Sequence, residues 1–214
     1  MRPEKMSDSS LSAPSRRGRP RNFDRNNALM AALGIFWRRG YELTSVGELC
    51  KVMDINPPSL YAAFGNKASL FLEAVDYYET TYWDHTWKKL QTDGDIYDAI
   101  EAFFTQAACT LTCQAAPCGC LVVLAAVNVL PESTEVYNAT RALRDRGKKH
   151  FTARLHKAVA DGQLPGDTPI EAIALTLTTL LEGMSIPAQD GISKQELTSI
   201  AGLAVKLLPA RTAE

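Results

Sequence analysis

Four thiols fall within twelve residues, Cys109, Cys113, Cys118 and Cys120, spaced C-x3-C-x4-C-x-C, while Cys50 stands apart. Thiolates attack electrophiles, react with oxidants and hold soft metals, so this cluster is the first candidate for chemistry. Cys109 and Cys113 are four apart and share a helix face. Cys118 falls where a helix over residues 118–130 would begin, and the positive end of a helix dipole favours thiolate. Cys118 and Cys120 are therefore the candidate redox pair. The spacing matches no zinc-site pattern, and cysteines that fill space as small hydrophobes account for the same residues. The three histidines, His85, His150 and His156, are dispersed, and the last two are six apart, off a common helical face. No motif brings a nucleophile, a base and an orienting acid together, so the chain is not expected to be an enzyme or to need a metal or cofactor.

A second set of residues suits nucleic acid. Ser15-Arg16-Arg17-Gly18-Arg19-Pro20-Arg21 closes a Ser-, Pro- and Arg-rich stretch almost without apolar residues. Residues 1–21 are expected to form a disordered basic arm, because they cannot bury enough surface to fold. Arg17 and Arg19 stand in an Arg-Gly-Arg-Pro run that resembles an AT-hook core, whose arginines enter a narrow minor groove. Thr44 sits at a helix start, where a hydroxyl and nearby N–H groups can hold a phosphate. Asn56 and Ser59 mark the amino-terminal end of a short helix, the part of a recognition helix that meets base edges.

These residues need helices to carry them. Asp24 caps a helix to about Arg39, which Gly40 ends. Ser45-x-x-Glu48 is a capping box ahead of Leu49 and Val52, and Asp54-Ile55-Asn56 breaks that helix. Pro57 and Pro58 suit the first turn of a second short helix, which Gly65-Asn66 stops. Two short helices joined by a tight turn are expected to present the second to a major groove. Leu43, Val46, Leu49 and Val52 are expected to pack on the first helix. Apolar periodicity then predicts helices from Lys67 past Tyr82, over 96–114, 118–130 and 133–161, from Pro169 to Pro187, and from Ser193 to Leu208. No segment of any length has strand period. The fold class is all-α, with about nine helices: a helix-turn-helix domain over 22–68 and a helical regulatory and dimerisation domain over 69–214.

Charge follows the same division. Residues 1–70 hold 11 Lys and Arg against 6 Asp and Glu, and residues 71–214 hold 12 against 18, within a net charge of −1. A basic head on an acidic body fits a DNA-binding unit with a regulatory one. The longest apolar run, Leu121 to Val127, is too short to cross a bilayer, so no membrane partner is expected. Five cysteines without extracellular context point to a reducing cytoplasm.

The residues Ser59-Leu60-Tyr61-x-x-Phe64-x-x-Lys67-x-x-Leu70, preceded by Phe36-x-x-x-Gly40-Tyr41 and Thr44-Ser45-Val46, resemble the TetR family of bacterial transcriptional regulators over about residues 22–75. The resemblance implies a homodimer on palindromic operator DNA, usually a repressor released by a small-molecule effector. It implies that Tyr61 gives its hydroxyl to a phosphate and that Lys67 reaches the DNA backbone. It also implies an effector pocket inside the body, for which Trp83, Trp87, Phe103, Phe104, Tyr137 and Met184 are the candidate lining. The last two helices, apolar beyond the needs of one core, are expected to form a four-helix dimer interface. The alternative on the same architecture is a cysteine-based redox, electrophile or metal sensor.

Overall fold

The computed structural model describes residues 23–114, 116–126 and 128–210, and among them every regular element is helical. The arm, with Arg17 and Arg19, lies outside the described residues.

Local sequence sets the head. In α1 (Arg25–Arg39) the Asp24 carboxylate accepts from the N–H groups of Asn26 and Asn27. Ser45 and Glu48 close a reciprocal capping box on α2 (Val46–Met53). The Asn56 side chain accepts from the Ser59 N–H to start α3 (Pro57–Phe64). Asn66 does the same for Ser69 at the start of α4 (Lys67–Tyr78). Each cap satisfies N–H groups that no helical carbonyl can reach. Phe36, Leu49, Leu60, Leu70 and Phe71 are fully buried between these four helices. Leu43 and Val52 depart from expectation, being 73% and 42% exposed. Leu43 lies in the turn where Thr44 points inward instead, and Val52 lies off the face of α2 that buries Leu49, Cys50 and Met53.

The boundary expected near residue 68 falls inside α4. This helix continues through a π-helical stretch, Glu79–Trp83, into α5 (Asp84–Leu90), and the Asp84 N–H donates to the Glu79 carbonyl five residues back. The body adds α6 (Ile96–Leu111), α7 (Leu121–Leu124), α8 (Thr134–Ala160), α9 (Ile170–Gly183), α10 (Ser185–Gln189) and α11 (Lys194–Val205). With α4–π–α5 and α9–α10 each counted as one rod, the described residues form nine. α11 lies along α6, and α9 along α8.

The helix expected over 118–130 shrinks to α7. Its backbone is engaged elsewhere: the Gly119 carbonyl accepts from the Trp37 indole at 3.1 Å, and the Ala125 carbonyl from the Tyr41 N–H at 3.1 Å. The Val122 carbonyl accepts from Arg144 at 3.3 Å, and the Leu130 N–H donates to the Glu42 carboxylate at 2.9 Å. Gly119 has φ +83°, and a Cβ there would meet the Leu124 side chain at 2.4 Å and the Ser185 carbonyl at 2.8 Å. Only glycine fits such a crossing.

Ile170–Gln189 is long and apolar enough by composition to cross a bilayer, yet it comprises α9 and α10 and is 33% buried. Leu175 of α9, Ile186 of α10 and Leu203 of α11 are more than half exposed.

Candidate nucleic-acid interface and body pocket

The head presents α3 outward. Pro57, Pro58, Tyr61 and Ala62 are exposed, Tyr61 by half, and no charged residue lies on this helix. The exposed Asn56 has its side-chain oxygen engaged in the cap, and Ser59 is half-buried. Two expectations shift. Thr44 is fully buried and its hydroxyl donates to the Gly40 carbonyl at 2.7 Å, so the side chain braces the loop from inside. Lys67 lies 4.3 Å from the centre of the Tyr41 ring and donates to the Glu42 carbonyl at 3.4 Å. Burial pulls its pKa down, against the pull of Glu42. Its ammonium thus serves the joint between head and body. Two further cations of the head are also paired, Arg25 with Glu73 and Arg39 with Glu48.

The body holds a pocket of about 60 Å³ walled by the π stretch and α5 on one side and by α7, α8 and α9 on the others. Trp83 and Trp87 line it as expected. The other four candidates do not. Phe103 and Phe104 belong to an aromatic core with Phe151, their ring centres 5.0 and 6.0 Å from it. Phe103 also borders a separate polar groove between α5 and α6. Met184 is buried where α9 meets α10, and Tyr137 is 41% exposed near the start of α8. The polar lining, Glu79, Arg144, Arg146, Thr178 and Glu182, escaped the sequence reading. The one available signal was spacing: Glu79, Trp83 and Trp87 recur every fourth residue.

Electrostatics in the pocket are set by burial. Glu79 is raised above the usual carboxylate range by burial, and its ion pair with Arg146 at 3.0 Å pulls it partly back. Glu182 is raised by burial with Arg144 opposing. Cys120 borders the pocket, and burial pushes its thiol up to about 11 despite a hydrogen bond with Tyr78. This overturns the helix-dipole argument for the thiols. α7 begins only at Leu121, so Cys118 opens no helix, and Cys120 is held as a thiol. The described cysteines are all unbridged, and no trio of His, Cys, Asp and Glu groups could hold a metal ion among the described residues.

Pocket and head share one scaffold. The buried Tyr78 hydroxyl accepts from the Trp83 indole at 2.7 Å and from the Leu121 N–H at 3.4 Å. The Tyr78 ring packs edge-on against Trp37 of α1, centres 4.7 Å apart. Glu42, just before α2, accepts from the Leu130 N–H and from the Ser133 hydroxyl at 2.8 Å.

Comparison with known proteins gives a consistent picture. The model of the family described as bacterial regulatory proteins, tetR family, matches residues 28–74. The chain is 30% identical over 203 residues to the HTH-type transcriptional repressor ComR of Escherichia coli K12, covering 94% of this chain and 97% of that protein. It is 27% identical to the repressor BdcR of the same organism, covering 87% and 90%. Among solved structures, a cysteine-substituted form of the TetR family transcriptional regulator CifR, complexed with 26-base-pair operator DNA, superposes with a TM-score of 0.84. That structure is 37% identical, covering 89% of this chain and 100% of its own.

Proposed function

The chain belongs to the TetR family of DNA-binding transcriptional regulators, and on that footing we propose that it is a dimeric repressor released from its operator by a small molecule bound in the body pocket. The carrying observation is that one segment serves both pocket and head. Cys120, Val122 and Val123 line the pocket, while the carbonyls of Gly119 and Ala125 hold Trp37 and Tyr41 of the head. An effector that spreads the π stretch from α7 moves Tyr78 and Gly119, and with them α1. The two recognition helices then lose the separation that half-sites one turn apart require.

The DNA-binding group comprises Tyr61 and Ser59 on α3 and Asn56 at its cap, with Arg17 and Arg19 of the arm supplying charge. α3 has few side chains able to bond bases, so specificity is shared with the arm and with half-site spacing. The second copy docks on the face of Leu175, Ile186 and Leu203, exposed in one protomer. The site of action is the cytoplasm, where the operator lies.

Salt-dependent binding to the DNA upstream of its own gene tests the first half. A protein that shows no such binding is not this repressor. Spin labels at position 61 of both protomers test the second half. A distance that stays fixed while an effector abolishes DNA binding sinks the proposed coupling.

A second reading is favoured by Cys120, which borders the pocket and touches the Tyr78 hydroxyl that braces the head. Covalent modification there would act on the same joint. Replacing Cys118 and Cys120 together with Ser then abolishes the response and spares DNA binding.

A further inference from the structure

The 60 Å³ pocket does not stand alone. An outer cleft of about 450 Å³, bordered by Asp76, Asp84, Lys88 and His150, adjoins it. The two spaces share a wall made of Glu79, Trp87 and Arg146. The inner space holds only a fragment. Joined, the two fall within the range of roughly 300–1,000 Å³ that small-molecule sites occupy. The wall is asymmetric. The Glu79 side chain is 16% exposed and fixed in the π stretch, whereas that of Arg146 is 52% exposed at the surface of α8. Arg146 can leave into water at little cost, while Glu79 stays behind, buried.

The chemistry beyond the wall indicates what would replace it. Two carboxylates, Glu79 and Glu182, and two indoles, Trp83 and Trp87, line the inner space. Of its two guanidiniums, Arg144 donates to the Val122 carbonyl and Arg146 is the movable partner of Glu79. Trp87 is held in place by His150, stacked on it at 5.0 Å, and by Phe103 at 4.6 Å. An incoming anion would meet Glu79, Glu182, Asp76 and Asp84, the last of these paired with Lys88 at 2.6 Å. A cation meets two part-buried carboxylates and ring faces that attract positive charge.

We propose that the Glu79–Arg146 ion pair is a gate between cleft and pocket, and that an organic cation with an apolar body opens it by taking Arg146's place on Glu79 beside the two indoles. The inference rests on the reading of the body as an effector domain and adds the charge class and the entry route.

The test titrates the full-length protein, without DNA, by tryptophan fluorescence. Benzyltrimethylammonium is compared with its neutral isostere neopentylbenzene and with phenylacetate. The cation is expected to bind at least tenfold more tightly than either. Glu79→Gln should weaken it at least tenfold, with circular dichroism checking the fold. Arg146→Gln, at an exposed position, should tighten it about threefold by removing the competitor. Equal affinity for cation and isostere, preference for phenylacetate, or weaker cation binding by Arg146→Gln overturns the gate. Binding of the wild-type protein to its upstream DNA, measured separately, keeps the outcomes apart. DNA binding with no preference for the cation rejects the gate and leaves the regulator. Absence of DNA binding rejects the regulator, whatever the titration shows.

Discussion

Tyr61 is the most exposed polar group on a recognition helix otherwise made of prolines, alanines, buried apolar residues and the half-buried Ser59. One hydrogen bond to a phosphate contributes about 1 kcal/mol net, so Tyr61→Phe, which removes one from each protomer, should lower operator affinity about thirtyfold across sequences, measured by gel shift at several salt concentrations. Cys120 makes an opposite prediction about reactivity. Its thiol is raised to about 11 from an ordinary 9.0, so its thiolate fraction at pH 8 falls roughly a hundredfold. Iodoacetamide labelling followed by mass spectrometry should find Cys120 nearly unmodified in the folded protein and readily modified in urea. The sign for stability follows. The folded state holds this proton more tightly than the unfolded state does. Stability from Cys120 is therefore full below about pH 9 and is lost as pH rises toward 11. A native Cys120 labelled as fast as an unfolded one would instead support the thiol-sensing reading.

At the scale of elements, the caps were the legible part. Asp24 and Ser45 each bond N–H groups two or three residues ahead, and that information is local. Ser45→Ala should cost about 1 kcal/mol, read as a lower urea midpoint, because it leaves the Glu48 N–H without the hydroxyl that caps it, while the Ser45 N–H bond to the Glu48 carboxylate remains. α7 was not legible. The apolar run from Leu121 has helical character, but its backbone partners, Trp37, Tyr41 and Glu42, lie some eighty residues earlier. The pocket failed for a related reason. Phe104 and Met184 have the composition of a ligand wall, yet they pack in the core, while Glu79, Arg146 and Glu182 resemble solvated surface charges until the packing of several helices brings them around one space. Trp83 and Trp87 were recoverable because aromatics four apart must share a face.

At the scale of the molecule, the unpartnered face of α9, α10 and α11 sets the expected assembly. Leu203→Glu places a charge in the proposed two-fold interface and should yield a monomer by native mass spectrometry. Operator affinity should then fall by roughly a hundredfold or more, since each head binds its half-site alone. The π stretch between α4 and α5 acts on a different geometric quantity. A π turn carries one residue more than the α-helix it interrupts, and each helical residue turns the chain by about 100°. Glu79–Trp83 is therefore a phase-keeper: it absorbs one extra residue within a turn, so the pocket face of α5 keeps its angle to the head face of α4. Deleting Thr81 should restore an unbroken α-helix in which the Asp84 N–H meets the Glu79 carbonyl four residues back, with Trp87 still on the pocket wall. Tryptophan emission should then stay where it is, whereas a shift to the red would show that the phase had been lost. Homologues that lack one residue here would carry the same parts in the same frame.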